Sequence, residues 1–216
     1  MDYKVLLYKH YFQKLAGNPG KEYEYTRHNA GFLCFDELTQ ILDTLDTAKQ
    51  LGTRTKKEYE AHTYQLSSRL KSETVTLLKP LTYMNRSGEV VREYLKTIKE
   101  PFTMNKDAWI IHDDIALPLG TLRLDKNKSA GGHNGVENII THLKTKDMIR
   151  FRVGILAGTN RSLRIEEYVL KKYSRTELAI IKNMAVCTAE KIIEALNMSI
   201  PFVQQKVNRH VFFKCN

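Results

Sequence analysis

The sequence predicts an α/β fold in a single domain, and three observations support that class. The chain has 216 residues, which is a usual size for one domain. Hydrophobic residues make up 42% and charged residues 27%, close to the average of globular proteins, so wholesale disorder is excluded. Along the chain, apolar runs typical of strands alternate with segments whose apolar residues recur at three- and four-residue steps, the spacing of a helix face.

The first half of the chain is predicted to contain a strand, a long helix and a pair of strands. The apolar run from Val5 to Tyr8 favours a strand, and Gly17-Asn18-Pro19-Gly20 indicates a tight turn. Apolar residues between Ala30 and Leu45 fall on one face of a helix. Residues 46–59 are polar and rich in Lys and Thr, which predicts a mobile surface connection. The strands of the pair are residues 61–70 and 73–79.

The second half of the chain alternates strands and helices, with polar segments between them. The apolar residues from Val90 to Ile98 have helical spacing, and Ala108 to Ile111 is a short apolar run typical of a buried central strand. Ser174 and Glu177 have the spacing of a capping box, which predicts the start of a long helix that reaches Leu196. The other predicted elements are a strand at 121–124, a helix at 136–143, a strand at 151–156 and a loop at 157–163.

The charge of the chain favours a polyanionic partner. Lys and Arg number 34 against 24 Asp and Glu, which gives a net charge of +10 and a sequence pI near 9.4. Such an excess suits nucleic acid, although a basic, well-solvated surface without RNA binding is about as consistent with charge alone.

Three further features predict a soluble protein of the cytoplasm that does not enter a membrane. The longest apolar runs have four residues, far fewer than the roughly 20 that span a bilayer. The first residues lead into no apolar segment of the kind found in secretory signals. The cysteines, Cys34, Cys187 and Cys215, are odd in number and widely spaced, which favours a reducing compartment.

Polar residues cluster beside the predicted strands and at the starts of predicted helices. Asn18, Asn85 and Asn134 lie in three separate clusters, each near glycine, where a backbone can approach a ligand closely. An Asn amide both donates and accepts hydrogen bonds, so three of them converging on one cleft could hold an ester, a peptide and a water. Each asparagine taken alone is more typical of a turn or a helix cap.

Two histidines and one aspartate in the same clusters suit acid–base chemistry. His28, just before the first long helix, is a candidate general base, and His133 lies similarly before a later helix. Asp113, after the central strand, could orient an imidazole and stabilise its cationic form, or simply hydrogen-bond the next turn. The sequence has no Gly-x-Ser-x-Gly elbow, Gly-x-x-x-x-Gly-Lys loop or His-Glu-x-x-His helix. The set therefore predicts attack by water under general-base catalysis, which contributes roughly 10² to 10⁴ in rate.

Two alternatives remain open. One is an RNA-binding protein with the same basic surface and no turnover. The other is a metal-dependent hydrolase with ligands at His28, Asp113, Asp114 and His133, which chelators would inhibit. No two of these four residues share a helix at His-x-x-x-His spacing, which disfavours the metal.

The polar clusters, taken in order, form a set of motifs across nearly the whole chain. They are residues 17–20 with 26–31, Lys79 to Gly88, His112-Asp113-Asp114 with Leu117-Pro118, residues 129–135, and Arg150 to Ile155. In order and spacing they resemble the bacterial-type peptidyl-tRNA hydrolases. The resemblance implies one monomeric domain over residues 1–216, with a central mixed, twisted sheet flanked by helices. It also implies hydrolysis of the ester between a peptide and the 3′ end of tRNA, which recycles tRNA from aborted translation, without a metal, an organic cofactor or an obligate protein partner.

The resemblance also implies a role for each matching residue. His28 matches the catalytic base, Asp113 the acid that holds it, and Asn18 the asparagine that positions substrate or water. The residues that match peptide- and nucleotide-binding or supporting positions are Tyr23, Met84, Asn85, His133 and Asn134. Those expected to bind the tRNA backbone are Arg152, Lys126, Lys128 and Arg161.

The sequence departs from the family pattern in three places. The family usually runs an apolar strand straight into the Asn-Pro-Gly turn, whereas here the apolar run lies earlier, at Val5 to Tyr8, so we expect a shifted or bulged first strand. Asp114 stands where Glu is usual, and Ala116 where a second acidic residue is common. Arg161 replaces a lysine in a loop that is one residue longer than in the family pattern.

Overall fold

The computed structural model describes residues 10–15, 17–67, 72–99, 102–158 and 164–209, which form one α/β domain. The strands are β1 (His10–Leu15), β2 (Ala48–Lys56), β3 (Tyr59–Ser67), β4 (Ser72–Pro80), β5 (Ala108–Pro118), β6 (Leu122–Lys126) and β7 (Ile149–Leu156). The helices are α1 (Ala30–Thr44), α2 (Ser87–Leu95), α3 (Met104–Asp107), α4 (Asn134–Leu143), α5 (Ile165–Leu170), α6 (Arg175–Asn197) and α7 (Ile200–Arg209). Short 3₁₀ turns, Arg27–Asn29 and Met84–Arg86, precede α1 and α2.

The strands pair in the order β2-β3-β4-β1-β5-β7-β6 to form one sheet. The central strands β4, β1, β5 and β7 are parallel, whereas β2 with β3, β3 with β4, and β6 with β7 are antiparallel. The mixed sheet implied by the family resemblance is therefore confirmed. β1 has a later strand on each side, and in such sheets ligands bind outside the carboxyl ends of the strands at the point where the strand order reverses.

Strand β5 is longer than predicted, and its extension forms the polar end of the sheet. β1 pairs with β5 up to Leu15 opposite Ile111, but β5 continues to Pro118 because it remains paired with β7. Asp113 lies opposite Val153 of β7, beyond the last pair that β5 makes with β1. The Asp113 carboxylate can be accommodated within β5 because the neighbouring strand β1 has already ended. The end of β1 leaves room for other polar groups beside this carboxylate.

Helices cover both faces of the sheet. On one face, α1 and α6 pack together with Trp109 and Ile111 of β5 in one apolar core. On the other face, α4 packs with Ala108 and Ile110 of the same strand, and α2 packs with Leu78 of β4. Alternate residues of β5 thus point to opposite faces, which explains its continuous apolar run. None of the helices in the described ranges is both long and apolar enough to cross a membrane.

Most predicted elements are present with small shifts of their bounds. The predicted capping box is confirmed, because Ser174 Oγ accepts from the Glu177 N–H at 3.3 Å and the Glu177 carboxylate accepts from the Ser174 N–H at 2.7 Å. The strand predicted at Val5 to Tyr8 lies outside the described residues, and the first described strand is β1. No sequence pattern predicts α5 or α7. α5 is short and exposes the apolar residues Ile165 and Leu170, so it lacks a clear buried face.

The prediction of a surface connection at residues 46–59 is wrong. Most of these residues form β2 and the turn into β3. Every residue of β2 after Ala48 is exposed, because β2 is an edge strand that pairs only with β3. An edge strand of this kind lacks the apolar alternation by which strands are recognised in a sequence, and its basic residues suit an exposed edge.

Candidate active site

The loop after β1 carries the first site residues and is held in shape by Asn29. Asn29 Oδ1 accepts from the Asn18 N–H at 2.7 Å, and Asn29 Nδ2 donates to the Asn18 carbonyl at 3.0 Å. Both asparagines are buried, so one amide satisfies two backbone groups that water does not reach. These bonds fix Asn18 against the 3₁₀ turn Arg27–Asn29, which carries His28.

Arg27 ties the same turn to the connection between α5 and α6. Its guanidinium donates to the carbonyl oxygens of Lys171 at 3.2 Å and Lys172 at 3.0 Å, and pairs with Glu177 at 2.7 Å. It also lies over the Tyr168 ring, 4.5 Å from the centroid. Because the guanidinium is buried among these partners, the turn is held in one position relative to α6.

A histidine and an aspartate form the centre of the site. His28 Nδ1 lies 2.9 Å from each carboxylate oxygen of Asp113, and both side chains are buried. An ionised carboxylate only accepts, so Nδ1–H of His28 is the donor and Nε2 of the neutral ring carries the lone pair. Burial lowers the pKa of His28, but the charge of Asp113 and the hydrogen bond to it outweigh burial and raise that pKa above its ordinary value.

His133 holds the same carboxylate from the start of α4. Its Nδ1 accepts from the Val136 N–H at 3.2 Å, which caps the helix and leaves the proton of the neutral ring on Nε2. That Nε2–H donates to Asp113 Oδ1 at 2.9 Å. Burial raises the pKa of Asp113, but His28 and His133 lower it by more, so this pKa lies well below its ordinary value and the carboxylate stays ionised.

Met84 connects Asn18 to the first turn of α4. Asn18 Oδ1 accepts from the Met84 N–H at 2.8 Å. A Cβ added to Gly135 would lie 2.4 Å from Met84 Sδ and 3.1 Å from Cε1 of His133, so α4 approaches both residues closely. With its oxygen engaged, the Asn18 side chain still has its Nδ2 group to donate to a ligand.

A cleft opens beside the histidine–aspartate pair. It is lined by His28, Asp113, His133 and Asn134, together with the glycines of the loop before α4. Asn134 is the first residue of α4, and it is exposed. The first N–H groups of a helix lack partners inside it, so this end of α4 offers donors beside the cleft.

Two of the other predicted substrate-binding residues, Tyr23 and Asn85, do not line this cleft. Tyr23 is half-buried and packs edge-on against Tyr83, with 6.4 Å between ring centroids. Asn85 is exposed in the 3₁₀ turn that follows Tyr83. Asn18 borders a separate groove lined by residues of α1. The structure thus gathers both histidines, Asp113 and Asn134 around one cleft, and joins Asn18 to them through its neighbours.

Two carboxylates neutralise Arg152, the arginine expected to bind a tRNA phosphate. Arg152 is half-buried on β7, where its Nε donates to Asp114 at 2.6 Å and its Nη1 pairs with Asp125. Burial lowers the pKa of Arg152, but these partners raise it further, so the guanidinium stays charged. Lys126 is exposed, 3.8 Å from an aspartate carboxylate in the loop before β7, and Arg161 lies outside the described residues.

A pocket beside Arg152 contains two further basic groups. Lys128, which is exposed, and Arg150 line it together with Arg152. Arg150 is only 2% exposed, and its Nη1 donates to the Ser129 carbonyl at 2.8 Å. Its Nε and Nη2 have no partner in the part of the chain that the structure describes. This arrangement could not be predicted from the sequence, because the motif that contains Arg150 does not reveal which nitrogens are paired.

Three of the site residues could also hold a metal ion. One ligand atom from each of His28, Asp113 and His133 lies within 4.8 Å of the others. Ligation through Nδ1 of His28 would displace its hydrogen bond to Asp113, and ligation through Nε2 of His133 would remove the proton that the bond from Val136 places there. The observed arrangement therefore fits hydrogen-bonded neutral imidazoles better than metal ligands. Asp114, the fourth ligand of the metal alternative, pairs with Arg152 instead.

Comparison with known protein families agrees with the motifs. The family model for peptidyl-tRNA hydrolase matches residues 16–214, a range that contains every residue assigned to the site. The chain belongs to the peptidyl-tRNA hydrolase family. It is 43% identical over 189 residues to the peptidyl-tRNA hydrolase of Shouchella clausii, which covers 87% of this chain and 93% of that protein. Identity to the peptidyl-tRNA hydrolase of Thermodesulfovibrio yellowstonii is 38% over 196 residues, or 89% of this chain and 92% of that one.

Solved structures of peptidyl-tRNA hydrolases have the same fold. The crystal structure of the enzyme from Acinetobacter baumannii matches with a TM-score of 0.75 at 26% identity, over 94% of this chain and 96% of that chain. A complex of a peptidyl-tRNA hydrolase with N-propanol matches with a TM-score of 0.77 at 25% identity, over the same shares of the two chains. The family and the fold class expected from the sequence are therefore confirmed, and the chain is a member of a family of hydrolases.

Proposed function

We propose that this hydrolase cleaves the ester bond between a peptide, or an N-blocked amino acid, and the 3′ end of tRNA. The observation that carries the proposal is the buried pair of His28 and Asp113 beside the cleft. The carboxylate engages Nδ1–H, which leaves the Nε2 lone pair of the imidazole to act as a base. The names of the relatives refer to this substrate, and a net charge of +10 suits an RNA.

In the proposed mechanism, His28 activates a water molecule. Nε2 takes a proton from water while the water oxygen bonds to the ester carbonyl carbon and an electron pair moves onto the carbonyl oxygen. The proton then passes from Nε2 to the ribose 3′ oxygen as the carbon–oxygen bond breaks, which releases the peptide acid and the tRNA. Asp113 stabilises the imidazolium between these two steps, as the carboxylate does in a Ser-His-Asp triad.

Neutral donors near the cleft would stabilise the negative charge that develops on the carbonyl oxygen. Asn18 offers its Nδ2, and Asn134 lies at the N-terminus of α4. Met84 and His133 keep these groups in place, since Met84 donates to Asn18 and His133 caps α4. We assign Tyr23 and Asn85, which do not line the cleft, to contacts with the peptide or the terminal nucleotide.

The experiment that tests this proposal is release of a labelled N-acetylated amino acid from purified N-blocked aminoacyl-tRNA. We expect steady release with or without a chelator. Tight tRNA binding without release would contradict the proposal and support the RNA-binding alternative. Release that stops with chelator and resumes with a divalent metal would instead support metal-dependent hydrolysis at His28, Asp113 and His133.

We further propose that a phosphate of the tRNA binds in the pocket lined by Lys128, Arg150 and Arg152. Two nitrogens of Arg150 are unpartnered in the described part of the chain, and Lys128 adds an exposed positive charge. Arg152 contributes when the phosphate takes the place of Asp125, because the two acceptors compete for one guanidinium. Lys126 and Arg161 are assigned to further contacts with the tRNA backbone.

Substitutions of Asp125, and of the basic residues that would bind the phosphate, test the phosphate contact. Asp125→Asn should lower KM for the tRNA substrate, because it releases a nitrogen of Arg152. Lys128→Ala and Arg152→Ala should raise KM and flatten the salt dependence, by about one unit of slope for each lost phosphate contact. A minimal ester, an N-blocked aminoacyl adenosine, should respond to none of the three. Equal changes on both substrates would contradict the proposal.

We propose that the protein works as a monomer in the cytoplasm, without a cofactor or an obligate protein partner, and recycles tRNA from aborted translation. Support comes from the family and from a cleft built by one chain. Light scattering should give the mass of one chain, 25.0 kDa. Twice that mass at working concentrations would contradict the monomer.

A further inference from the structure

His112 lies next to the catalytic aspartate and has no part in the proposed mechanism. It is 2% exposed and lines both the cleft beside His28 and the pocket beside Arg150. We infer that His112 is a positioning residue. It fixes the positions of Asp113 and His133, and so determines how strongly the Asp113 carboxylate interacts with His28. The kinetic tests of this inference rest on the proposed function, whereas its NMR test rests on the geometry alone.

The first contact of His112 is with the backbone of the residue that it positions. Its Nδ1 lies 2.7 Å from the Asp113 carbonyl oxygen. A carbonyl only accepts, so the proton of the neutral ring is on Nδ1 and that N–H is the donor. Adjacent residues of a strand point to opposite faces, so His112 fixes the Asp113 peptide from the face opposite to the Asp113 side chain.

The second contact of His112 is with the other histidine on the carboxylate. The His112 and His133 rings pack edge to face, with 4.8 Å between centroids and 78° between planes. The His133 ring also lies 4.9 Å from that of His28. His133 therefore contacts both rings, and its Nε2–H donates to Asp113 Oδ1.

The surroundings of His112 keep its ring neutral. Burial, His133 and Arg150 lower the pKa of His112 well below its ordinary value, against a weaker opposing effect of Asp113. A neutral ring brings no charge to the site, so its influence on His28 comes through the Nδ1–H bond and the ring contact. Besides His112, the titratable groups of the described residues that interact electrostatically with Asp113 include His28 from the turn before α1, His133 from the loop before α4, and Tyr173 from the segment before α6.

A pair of substitutions separates the donor function of His112 from simple filling of space. Asparagine presents an N–H near the position of Nδ1, whereas leucine fills the space and offers no donor. We expect His112→Leu to lower kcat by about 10- to 100-fold, the scale expected for a small misplacement of catalytic groups, with little change in KM. The acid limb of the pH–rate profile should move to lower pH, because a misplaced Asp113 raises the pKa of His28 less. We expect His112→Asn to restore most of kcat and of the pH profile.

The same variants show whether the role is merely structural. A structural role would lower the melting temperature and the active fraction of His112→Leu while the pH–rate profile stayed where it is in the wild type, and that result would overturn the inference. Equal damage in His112→Asn and His112→Leu would also overturn it. So would a loss confined to tRNA substrates and absent with the minimal ester, because His112 would then act through the pocket beside Arg150.

NMR titration of His28 tests the inference independently of the proposed function. If the wild type releases no peptide, the proposed function fails, yet the pKa of His28 can still be compared between wild type and variants. A lower pKa in His112→Leu that returns in His112→Asn is the expected result, and an unchanged pKa overturns the inference. Should the leucine variant not fold, His112→Gln, whose N–H lies one bond farther out, replaces it in the same comparison.

Discussion

The substitution Asp113→Asn tests how far the reaction depends on one carboxylate. Asp113 accepts from Nδ1–H of His28 and from Nε2–H of His133, in each case at 2.9 Å. Asparagine has one acceptor oxygen and one NH₂ group, so it can accept from only one of the two rings. The Val136 N–H fixes the tautomer of His133, so we expect the oxygen to face His133 and the NH₂ group to face His28.

The expected consequence is a change in the tautomer of His28. Its Nδ1 then accepts from the asparagine, and its Nε2 carries the proton, so no lone pair faces the water. The wrong tautomer costs about 10⁴ in kcat in Ser-His-Asp enzymes, and a general base contributes roughly 10² to 10⁴. We therefore expect kcat to fall by about 10³ to 10⁴, which corresponds to about 4 to 5.5 kcal/mol of transition-state stabilisation.

The assay is release of N-acetylated amino acid from N-blocked aminoacyl-tRNA, with kcat and KM measured separately. KM should change little, because Asp113 is only 2% exposed and its carboxylate is engaged by His28 and His133. The control is Glu93→Gln, which removes an exposed carboxylate of α2 that pairs with Lys96 and which should keep the wild-type rate. Circular dichroism of both variants checks that the fold is retained.

A loss of less than tenfold in folded Asp113→Asn would refute this reasoning. It would mean that His28 keeps its lone pair on Nε2 without help from the carboxylate. A comparable loss in Glu93→Gln would show that the assay responds to overall charge rather than to the pair in the site.

Three further predictions address the surroundings of the pair. Asn18→Ala removes both the Nδ2 donor and the oxygen that accepts from the Met84 N–H, so kcat should fall about 10²-fold in the peptide-release assay with the fold intact; wild-type activity would contradict a positioning role. Gly135→Ala puts a Cβ 2.4 Å from Met84 Sδ, so the melting temperature should fall, and an unchanged value would show that Met84 moves aside freely. The folded-state pKa of His28 is raised, so its pairing with Asp113 contributes stability that is complete below about pH 6.5 and is lost as the pH rises through the folded-state value. Urea titrations should therefore show a smaller difference in unfolding free energy between wild type and Asp113→Asn at pH 9 than at pH 6, and a larger difference at pH 9 would contradict the pairing.

The sequence predicted the central group of the site because its members lie where local signals are strong. His28 and His133 each come just before an apolar-periodic helix, and Asp113 follows a continuous apolar run. In an α/β fold, such positions meet at the carboxyl edge of the parallel strands. The structure places the three side chains together at that edge, although their chemical roles remain predictions.

The features that the sequence did not predict depend on pairing between distant segments. Asp125 lies on β6 and neutralises Arg152 on β7, and the register of two strands is not visible in either one alone. Arg150, in the same motif as Arg152, is buried, and its Nε and Nη2 have no partner among the residues that the structure describes, which depends on how distant segments pack around it. Strand β2 was missed for a similar reason, since its pairing with β3, rather than an apolar pattern, makes it a strand.

The most direct test of the central claim is the initial rate of peptide release by His28→Ala. The matched control is His142→Ala, whose ring lies on α4 and donates to the Asn138 carbonyl at 2.8 Å. We predict a wild-type rate for His142→Ala and a loss of about 10³- to 10⁴-fold for His28→Ala, each the same with and without chelator. Near-wild-type release by His28→Ala, or a wild-type rate that chelator abolishes and a divalent metal restores, would contradict a metal-free esterase with His28 as its base.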